Sequence, residues 1–412
     1  MRSIPFSELD ELLVYFDEGY KTSHDEAYRR FSEVQLLPPE DLPADPFSDE
    51  YSKVFMDLYK KISHQTNYSV QNERAEFDVE YHTLRPYPYF TKSLKRTAQH
   101  YDLMAKLFDM MDLEPGSSIL ECGFGWGNTT LALAMVGYNV TALDIEEKYC
   151  KLVQNRADIL KLSNVKFVHS DFLWVETTDE KFDAVVYFES FHHCWEFDRL
   201  LKALHRVINP GGKIYFGAEP INEQFTVPWG VRLDGESLFV ARRSGWMELG
   251  FHSTFFQELL RRNGWRGQCV SPHFWVAVRR NEPIVILADD PRLQTQIGVR
   301  AGNTLKLSAP ATEGGRYFGL FGPYINLANG IYNIDIAMTI PDHVSGTVTF
   351  DVCCESGQNI IYCSDFDIET LRSGHLEVQV TAPECVSSVE FRLNVPAGFE
   401  AEIEKITITE VY

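Results

Sequence analysis

Residues 118–127 read Ser-Ile-Leu-Glu-Cys-Gly-Phe-Gly-Trp-Gly, and this stretch decides the fold of the surrounding region. A short apolar run ends in the carboxylate Glu121, and glycines follow at alternate positions, Gly123, Gly125 and Gly127. The next residues read Asn-Thr-Thr-Leu-Ala-Leu-Ala, a pattern typical of a helix N-terminus. A strand, a glycine turn and a helix in this order let backbone N–H groups approach a nucleotide-like ligand.

Strand-like and helical patterns alternate after this turn. The strand-like runs are at 118–121, 139–143, 165–169, 184–188 and 213–217, and a terminal hairpin is predicted at 266–271 and 274–279. Such alternation predicts an α/β fold, a doubly wound parallel sheet with helices on both faces. The sequence Pro210-Gly211-Gly212 predicts a tight turn before the fifth strand. Residues 221–250 are predicted to be irregular.

Three regions are expected along the 412 residues. Residues 1–110 are predicted to form a helical N-terminal region with a lid, and residues 111–283 carry the alternating α/β pattern. Residues 290–412 consist of short β-rich runs separated by Gly, Pro and Asn turns, which predicts an all-β antiparallel sandwich.

Composition excludes several classes of function. The net charge of −21 argues against a nucleic-acid partner, because phosphate binding depends on clusters of Lys and Arg. No apolar run of about 20 residues is present, so no transmembrane segment is predicted. The eight cysteines lack zinc-site spacing. A cytoplasmic enzyme is therefore expected, and the sequence leaves its oligomeric state open.

Two ligands compete for the glycine turn: a dinucleotide and S-adenosylmethionine (SAM). A dinucleotide fingerprint requires a third glycine at position 128, which is Asn128. A pyrophosphate also fits poorly beside Glu121, whereas a sulfonium cation with an amino group tolerates a carboxylate there. Asp144 ends the second strand about 20 residues after the turn, as recognition of ribose hydroxyls requires. Asp171 ends the third strand, where the alternative role is a helix N-cap.

Five ordered pieces between residues 115 and 280 resemble the class I SAM-dependent methyltransferases. They are the glycine turn, Asp144, Asp171, the fourth strand at 182–189 and the segment 204–213 before the fifth strand. The resemblance implies a Rossmann-like sheet of seven strands with the last one antiparallel, and SAM as cofactor. The residues expected to bind SAM are Glu121, Gly123, Gly125, Gly127, Asp144, Ile145, Ser170, Asp171, Phe172 and Glu189.

The methyl acceptor must lie near residues just past the fourth strand. His192 and His193 follow it, and histidine is the commonest general base, although a His pair here can also simply line the pocket. Polar and aromatic residues in two other segments are predicted to contact substrate: the first segment could cover the site as a lid, and the alternative for the second is a surface loop with internal ion pairs. These residues are Tyr81, His82, Arg85 and Tyr87 in the stretch 81–90, and Trp229, Arg232, Asp234 and Glu236. A catalytic metal bound by Asp234, Glu236 and the histidines is an alternative, but no ligand spacing supports it, so no metal-binding residues are assigned.

The expected reaction is methyl transfer from SAM to a sugar hydroxyl in surface polysaccharide or lipopolysaccharide biosynthesis. Residues 290–412 loosely resemble β-sandwich modules attached to enzymes of bacterial polysaccharide assembly, where either glycan binding or an architectural or oligomerising role fits. A lipid or small-molecule methyltransferase is an alternative, since the turn 123–127 is similar to that of cyclopropane-fatty-acid synthases. A non-catalytic scaffold that binds SAM or glycan is another, and a dinucleotide reductase is the last.

Overall fold

The computed structural model describes residues 2–88, 92–280, 283–312, 314–327, 329–382 and 386–411. The chain divides into two compact units, 1–279 and 280–412, each with a hydrophobic core of its own. The first unit contains the α/β pattern together with all of the helices that precede it.

The first part of unit 1 is mainly helical. Its helices lie on the same core as the sheet that follows, because each presents an apolar face. In α3, Tyr51, Phe55, Tyr59 and Ile62 recur at helical spacing and are all buried. The elements are β1 (Arg2–Ile4), α1 (Leu9–Thr22), α2 (His24–Phe31), β2 (Val34–Leu36), α3 (Asp49–Ser63), α4 (Val79–Thr83) and α5 (Leu94–Asp109).

The rest of unit 1 holds a seven-stranded sheet. Its elements are β3 (Ser118–Cys122), α6 (Asn128–Met135), β4 (Asn139–Asp144), α7 (Glu147–Leu160), β5 (Val165–His169), β6 (Phe182–Phe188), α8 (Phe197–Val207), β7 (Ile208–Gly217), β8 (Ile221–Asn222), β9 (Trp229–Val231), α9 (Gly235–Ser244), β10 (Leu249–His252), α10 (Ser253–Arg262), β11 (Trp265–Ser271) and β12 (Phe274–Arg279). The strand order is β11-β12-β7-β6-β3-β4-β5. Strands β3 to β7 are parallel, and β12 is antiparallel to both β7 and β11.

Pro210-Gly211-Gly212 lies where β7 bulges away from β6, between the pairs Phe182–Ile208 and Ala184–Lys213, and Gly211 has the positive φ of 77° that a turn requires. One expectation for this region is wrong. The segment 221–250 is not irregular, because it contains α9 and the strands of a small sheet of order β8-β10-β9. Strands of two to four residues are too short to show a period in the sequence.

Unit 2 is almost entirely β. Its elements are β13 (Ile284–Leu287), β14 (Gly298–Ala301), β15 (Thr304–Ser308), β16 (Arg316–Leu320), β17 (Pro323–Leu327), β18 (Gly330–Thr339), β19 (Thr347–Cys354), β20 (Asn359–Asp367), α11 (Ile368–Leu371), β21 (His375–Ala382), β22 (Val386–Pro396) and β23 (Glu400–Val411). They form a six-stranded and a five-stranded antiparallel sheet. Both sheets contribute to one hydrophobic core, so the prediction of an antiparallel β region is confirmed. No helix among the described residues is long and apolar enough to span a membrane.

The expected boundary at residue 110 implies that the N-terminal helices form a region apart from the sheet. In the structure the helices and the sheet belong to one compact unit and share a core. Phe16 and Phe55 belong to the same core cluster as Leu120, Phe216 and Phe251. An added Cβ at Gly230 of β9 would come within 2.2 Å of the Phe55 ring, so this contact is close. The helices therefore complete the core of the α/β sheet.

We expect a fragment of residues 280–412 to fold alone and a fragment of residues 111–279 to fail. The first retains a complete core, whereas the second loses aromatic partners whose individual removal costs about 3–5 kcal/mol. Thermal unfolding followed by circular dichroism tests both, with residues 1–279 as the control that should unfold cooperatively. A cooperative transition for 111–279 would show that the helices are an independent region.

Candidate active site

A cavity of about 1040 Å³ lies in unit 1 at the carboxyl ends of the parallel strands. The residue that follows each of the five strands lines it, and these are Gly123, Ile145, Ser170, Glu189 and Ala218. Ligands of open α/β sheets bind at this edge, where the strand order reverses between β3 and β6. The topology therefore explains why residues distant in sequence meet in one cavity.

The glycine turn keeps its backbone close to the cavity. Gly123 has a φ of 70°, and a Cβ there would come within 2.6 Å of the Ser190 Cβ. Gly127 has a φ of 69°, and a Cβ would meet the Val153 side chain at 2.2 Å. The amide of Gly125 donates to Oδ2 of Asp144 at 2.9 Å, which ties the turn to the end of β4. Larger residues at Gly123 and Gly127 would displace the turn.

Two buried carboxyl groups face the cavity beside this turn. Burial and the nearby charge of Asp144 raise the pKa of Glu121 to about 8, and its Oε2 has no hydrogen-bond partner within the described chain. Burial also raises the pKa of Asp144 to about 6, although its oxygens accept the amides of Gly125 and Glu146. Both shifts mean that negative charge here lacks a cation to compensate it, which suits a cationic ligand.

The other residues predicted to contact the cofactor also line the cavity. Asp171 has the N-cap role as well, since its Oδ1 accepts the amide of Leu173 at 2.9 Å. Phe172 packs edge-on against Tyr187 with ring centroids 5.8 Å apart. Glu189 has a φ of 52°, and its Oε2 lies 3.4 Å from Nδ1 of His100.

His192 is fixed by a carboxylate that the sequence analysis did not select. Its Nδ1 lies 2.7 Å from Oε2 of Glu219, which is fully buried and also accepts the amides of Ser190, Phe191 and His192. Burial opposes ionisation of Glu219, but the charge and hydrogen bond of His192 and these amides lower its pKa. An ionised Glu219 accepts from Nδ1 of His192, which leaves Nε2 for other partners, 3.7 Å from Oε2 of Glu248.

His193 is held in a similar way. Its Nδ1 donates to the Met247 carbonyl oxygen at 2.7 Å and lies 3.3 Å from Oε2 of Glu73. Burial alone would lower its pKa, but the hydrogen bond to Glu73 and the charges of Glu248 and Glu73 raise it to about 9. Both predicted histidines therefore lie in the cavity with buried carboxylates around them.

The four substrate residues predicted between 229 and 236 divide into two pairs. Arg232 and Glu236 line the cavity, and Arg232 donates to Oδ2 of Asp234 and Oε2 of Glu248. Burial raises the pKa of Glu236 to about 7. Asp234 does not line the cavity but caps α9 by accepting the amide of Ser237. Trp229 is also absent from the lining, because it packs in the core and donates to the Pro46 carbonyl oxygen at 2.7 Å.

The predicted lid residues Tyr81, His82, Arg85 and Tyr87 do not line the cavity either. Their backbone lies on α7, where the guanidinium group of Arg156 donates to the carbonyl oxygens of His82, Arg85 and Trp126. His82 is buried beside Trp126, and the Arg85 guanidinium stacks on the Tyr81 ring. Residues 89 and 90 of the same stretch lie outside the described residues. The segment supports the glycine turn from behind rather than covering the site.

Sequence reasoning missed other residues of the site. Glu219, which holds His192, carried a signal, since it is a carboxylate just past the fifth strand. Nothing in the sequence marked several residues of the cavity lining that lie in the N-terminal helices or between short elements. They include Tyr28, Glu73, Arg96, His100 and Glu248.

The chain resembles known methyltransferases over part of its length. Residues 119–212 match the family model described as "Methyltransferase domain". Demethylmenaquinone methyltransferases of Bacillus mycoides (strain KBAB4) and Bacillus cereus (strain AH187) are each 31% identical over 108 residues, which cover 26% of this chain and 46% of the relative. The chain thus spans about half the length of the curated relatives it matches.

Solved structures show weaker likeness. A SAM-dependent methyltransferase from Aquifex aeolicus has a TM-score of 0.35 at 19% identity and covers 49% of this chain and 98% of its own. A structure titled "DhpI-SAM-HEP complex" has a TM-score of 0.33 at 21% identity and covers 48% of this chain and 94% of its own. Residues 119–212 contain the glycine turn and most of the parallel strands, and their match to the methyltransferase domain supports SAM as the cofactor.

The cavity fits this cofactor. The uncompensated carboxyl group of Glu121 and the open space beside Gly125 suit a ligand that carries positive charge next to the turn. The carboxylate of Asp144 lies at the end of β4, where a ribose would be recognised.

We expect SAM binding at pH 7 to release a proton from Glu121. In the free protein the pKa of Glu121, about 8, lies above the ordinary 4.5, so the carboxyl group is protonated at pH 7. Because the folded state holds this proton more tightly than the unfolded state, the free energy of unfolding falls as the pH rises from about 4.5 to 8. A cation at the turn favours the ionised form. Calorimetry in buffers of different ionisation enthalpy measures the release. Glu121→Gln should abolish it, whereas Glu180→Gln on the surface should not. A wild-type enthalpy independent of the buffer would contradict the expectation.

Proposed function

We propose that this protein transfers a methyl group from SAM to a hydroxyl of a saccharide, during assembly of surface polysaccharide or lipopolysaccharide. One observation carries the proposal: the glycine turn and the histidine pair line a single cavity. The bound cofactor supplies an activated methyl group on a sulfonium centre. The chain must then place an acceptor in line with that group and manage the proton that a hydroxyl loses.

The histidine pair is the part of the cavity we assign to the acceptor hydroxyl. We propose that Glu219 accepts from the Nδ1–H group of His192, so that in the neutral imidazole Nε2 carries the lone pair that accepts a proton or binds a cation. His193 lies beside it, with ring centroids 4.3 Å apart. We propose both as catalytic residues.

The polar wall beyond the histidines supports a hydroxyl-rich acceptor. It includes the guanidinium group of Arg232 and the carboxyl groups of Glu236 and Glu248, which can pair with hydroxyls. Trp195 and Trp246 add flat aromatic surface to the same wall. An acyl chain would remove water from these polar groups and offer them no hydrogen bond in its place, although Arg232 and Glu248 would keep their bond to each other. We therefore favour a saccharide over a lipid.

Labelled transfer tests the proposal. The protein is incubated with SAM carrying a radioactive methyl group and with three separate acceptor fractions: cell-envelope glycans, membrane lipids and demethylated quinones. We expect label in the glycan fraction, lost when His192 is replaced by Gln. Label only in lipids or quinones would reject the saccharide, and SAM binding without transfer to any fraction would favour a non-catalytic scaffold.

A further inference from the structure

Three metal-binding side chains converge at the acceptor end of the cavity. One potential ligand atom from each of His192, His193 and Glu248 lies within 4.8 Å of the other two. The histidines come from the short turn of 3-10 helix after β6, and Glu248 directly precedes β10. All three line the cavity, and His192 and Glu248 are each only 6% exposed.

The two imidazole rings are oriented as ligating histidines usually are. A histidine that binds a metal through one nitrogen almost always donates the other N–H to a carboxylate or a backbone carbonyl group. Here Nδ1 of His192 lies 2.7 Å from the Glu219 carboxylate, and Nδ1 of His193 lies 2.7 Å from the Met247 carbonyl oxygen. Nε2 is therefore the nitrogen that each ring leaves for a ligand, and a cation bound to His193 would take the place of the proton that this ring holds at neutral pH.

The carboxylate of the cluster is also oriented. Oε2 of Glu248 lies 3.3 Å from the Arg232 guanidinium group and 3.5 Å from the Ser237 hydroxyl group. These donors hold the side chain with Oε2 3.7 Å from Nε2 of His192. Glu73 places a further carboxylate beside His193.

The geometry points to a divalent metal site formed by His192, His193 and Glu248. Two imidazoles and one carboxylate suit Mn²⁺, Fe²⁺ or Zn²⁺ better than Mg²⁺ or Ca²⁺, which prefer oxygen ligands. Three protein ligands leave coordination positions open, and a catalytic metal uses such positions for substrate oxygen. The role of the cation in orienting an acceptor hydroxyl rests on the proposed function. The metal site itself does not, because metal binding is measured without SAM or acceptor.

Metal titration of the full-length protein tests the site. Protein treated with EDTA and dialysed is titrated with Co²⁺, followed by its visible absorption, and with Mn²⁺, followed by electron paramagnetic resonance. We expect one equivalent to bind, with affinity reduced at least tenfold in His192→Gln and in Glu248→Gln. Asp335→Asn is the matched control, because Asp335, His375 and Glu377 form an exposed cluster of the same residue types in unit 2. Circular dichroism and SAM binding show that each variant is folded.

The outcomes separate this inference from the proposed function. Absence of stoichiometric binding overturns the metal site, as does a loss of binding in Asp335→Asn with full binding in both cavity variants. Methyl transfer to glycan that persists in EDTA, where no metal is bound, rejects a catalytic role for the cation but leaves the proposed function standing. One equivalent bound at His192 and Glu248, with no transfer to any acceptor, supports the metal site while rejecting the saccharide reaction.

Discussion

Replacing Asp144 with alanine is expected to weaken SAM binding by about 10- to 100-fold without unfolding the protein. The buried carboxylate accepts the amides of Gly125 and Glu146, both at 2.9 Å, and so fixes the glycine turn against the end of β4. Hydrogen bonds to a charged group contribute about 1.5–3 kcal/mol each, which corresponds to this range of affinity. Any contact between Asp144 and the ribose would add to the loss. Isothermal titration calorimetry with SAM measures it.

Two further variants make the result specific. Asp144→Asn keeps one carbonyl oxygen as an acceptor and should retain part of the affinity. Asp158→Ala removes an exposed carboxylate from α7, where it accepts from Gln154, and should bind SAM as the wild type does. Unchanged affinity in Asp144→Ala would remove this residue from the cofactor site.

The parallel sheet could be predicted from the sequence because its strands are buried runs separated by helices of clear period. The run at 165–169 was placed with both boundaries correct, and the run at 139–143 missed only Asp144. The cofactor residues followed from the same logic, since parallel strands bring their carboxyl ends to one edge. The order of the strands in the sequence was therefore sufficient to predict that Glu121, Asp144 and Asp171 lie at one site.

The acceptor side could not be predicted in the same way. Tyr28, Glu73 and Arg96 reach the cavity from helices and turns that pack on the sheet only in the folded chain. Glu248 precedes a four-residue strand whose pairing with β8 and β9 decides where its side chain points. No local period in the sequence encodes such long-range pairing.

Trp229 shows why residue type alone does not assign a role within the segment 229–236. An indole beside charged residues fits a sugar ring, but it fits an aromatic core equally well. The burial of its ring among Tyr51, Phe55 and Phe197 depends on where α3 and α8 lie. Asp234 was assigned to the substrate for a related reason. A carboxylate at the start of a helix caps its free amides, and Asp234 does so for α9.

Replacing His192 with glutamine is expected to reduce methyl transfer by about 100- to 10,000-fold while SAM affinity stays within about twofold. The same loss is expected whether Nε2 accepts the proton of the hydroxyl or binds a cation that orients it, because both roles need this lone pair. Glu219→Gln should cost less, about 10- to 100-fold, since Glu219 acts through the ring that it orients. Initial rates at saturating SAM, paired with calorimetric SAM affinities, measure both effects.

A merely structural role for this pair predicts a different pattern. Glu219 also accepts three backbone amides at the start of the turn 191–193, so its loss could disturb Ser190, which packs against Gly123 of the glycine turn. In that case Glu219→Gln would weaken SAM binding as much as transfer, and His192→Gln would leave both nearly intact. If both variants lose methyl transfer but keep their SAM affinity, and the loss is larger in His192→Gln, then only action of this pair on the acceptor explains the result. Equal turnover of His192→Gln and wild type would place the acceptor chemistry elsewhere in the cavity.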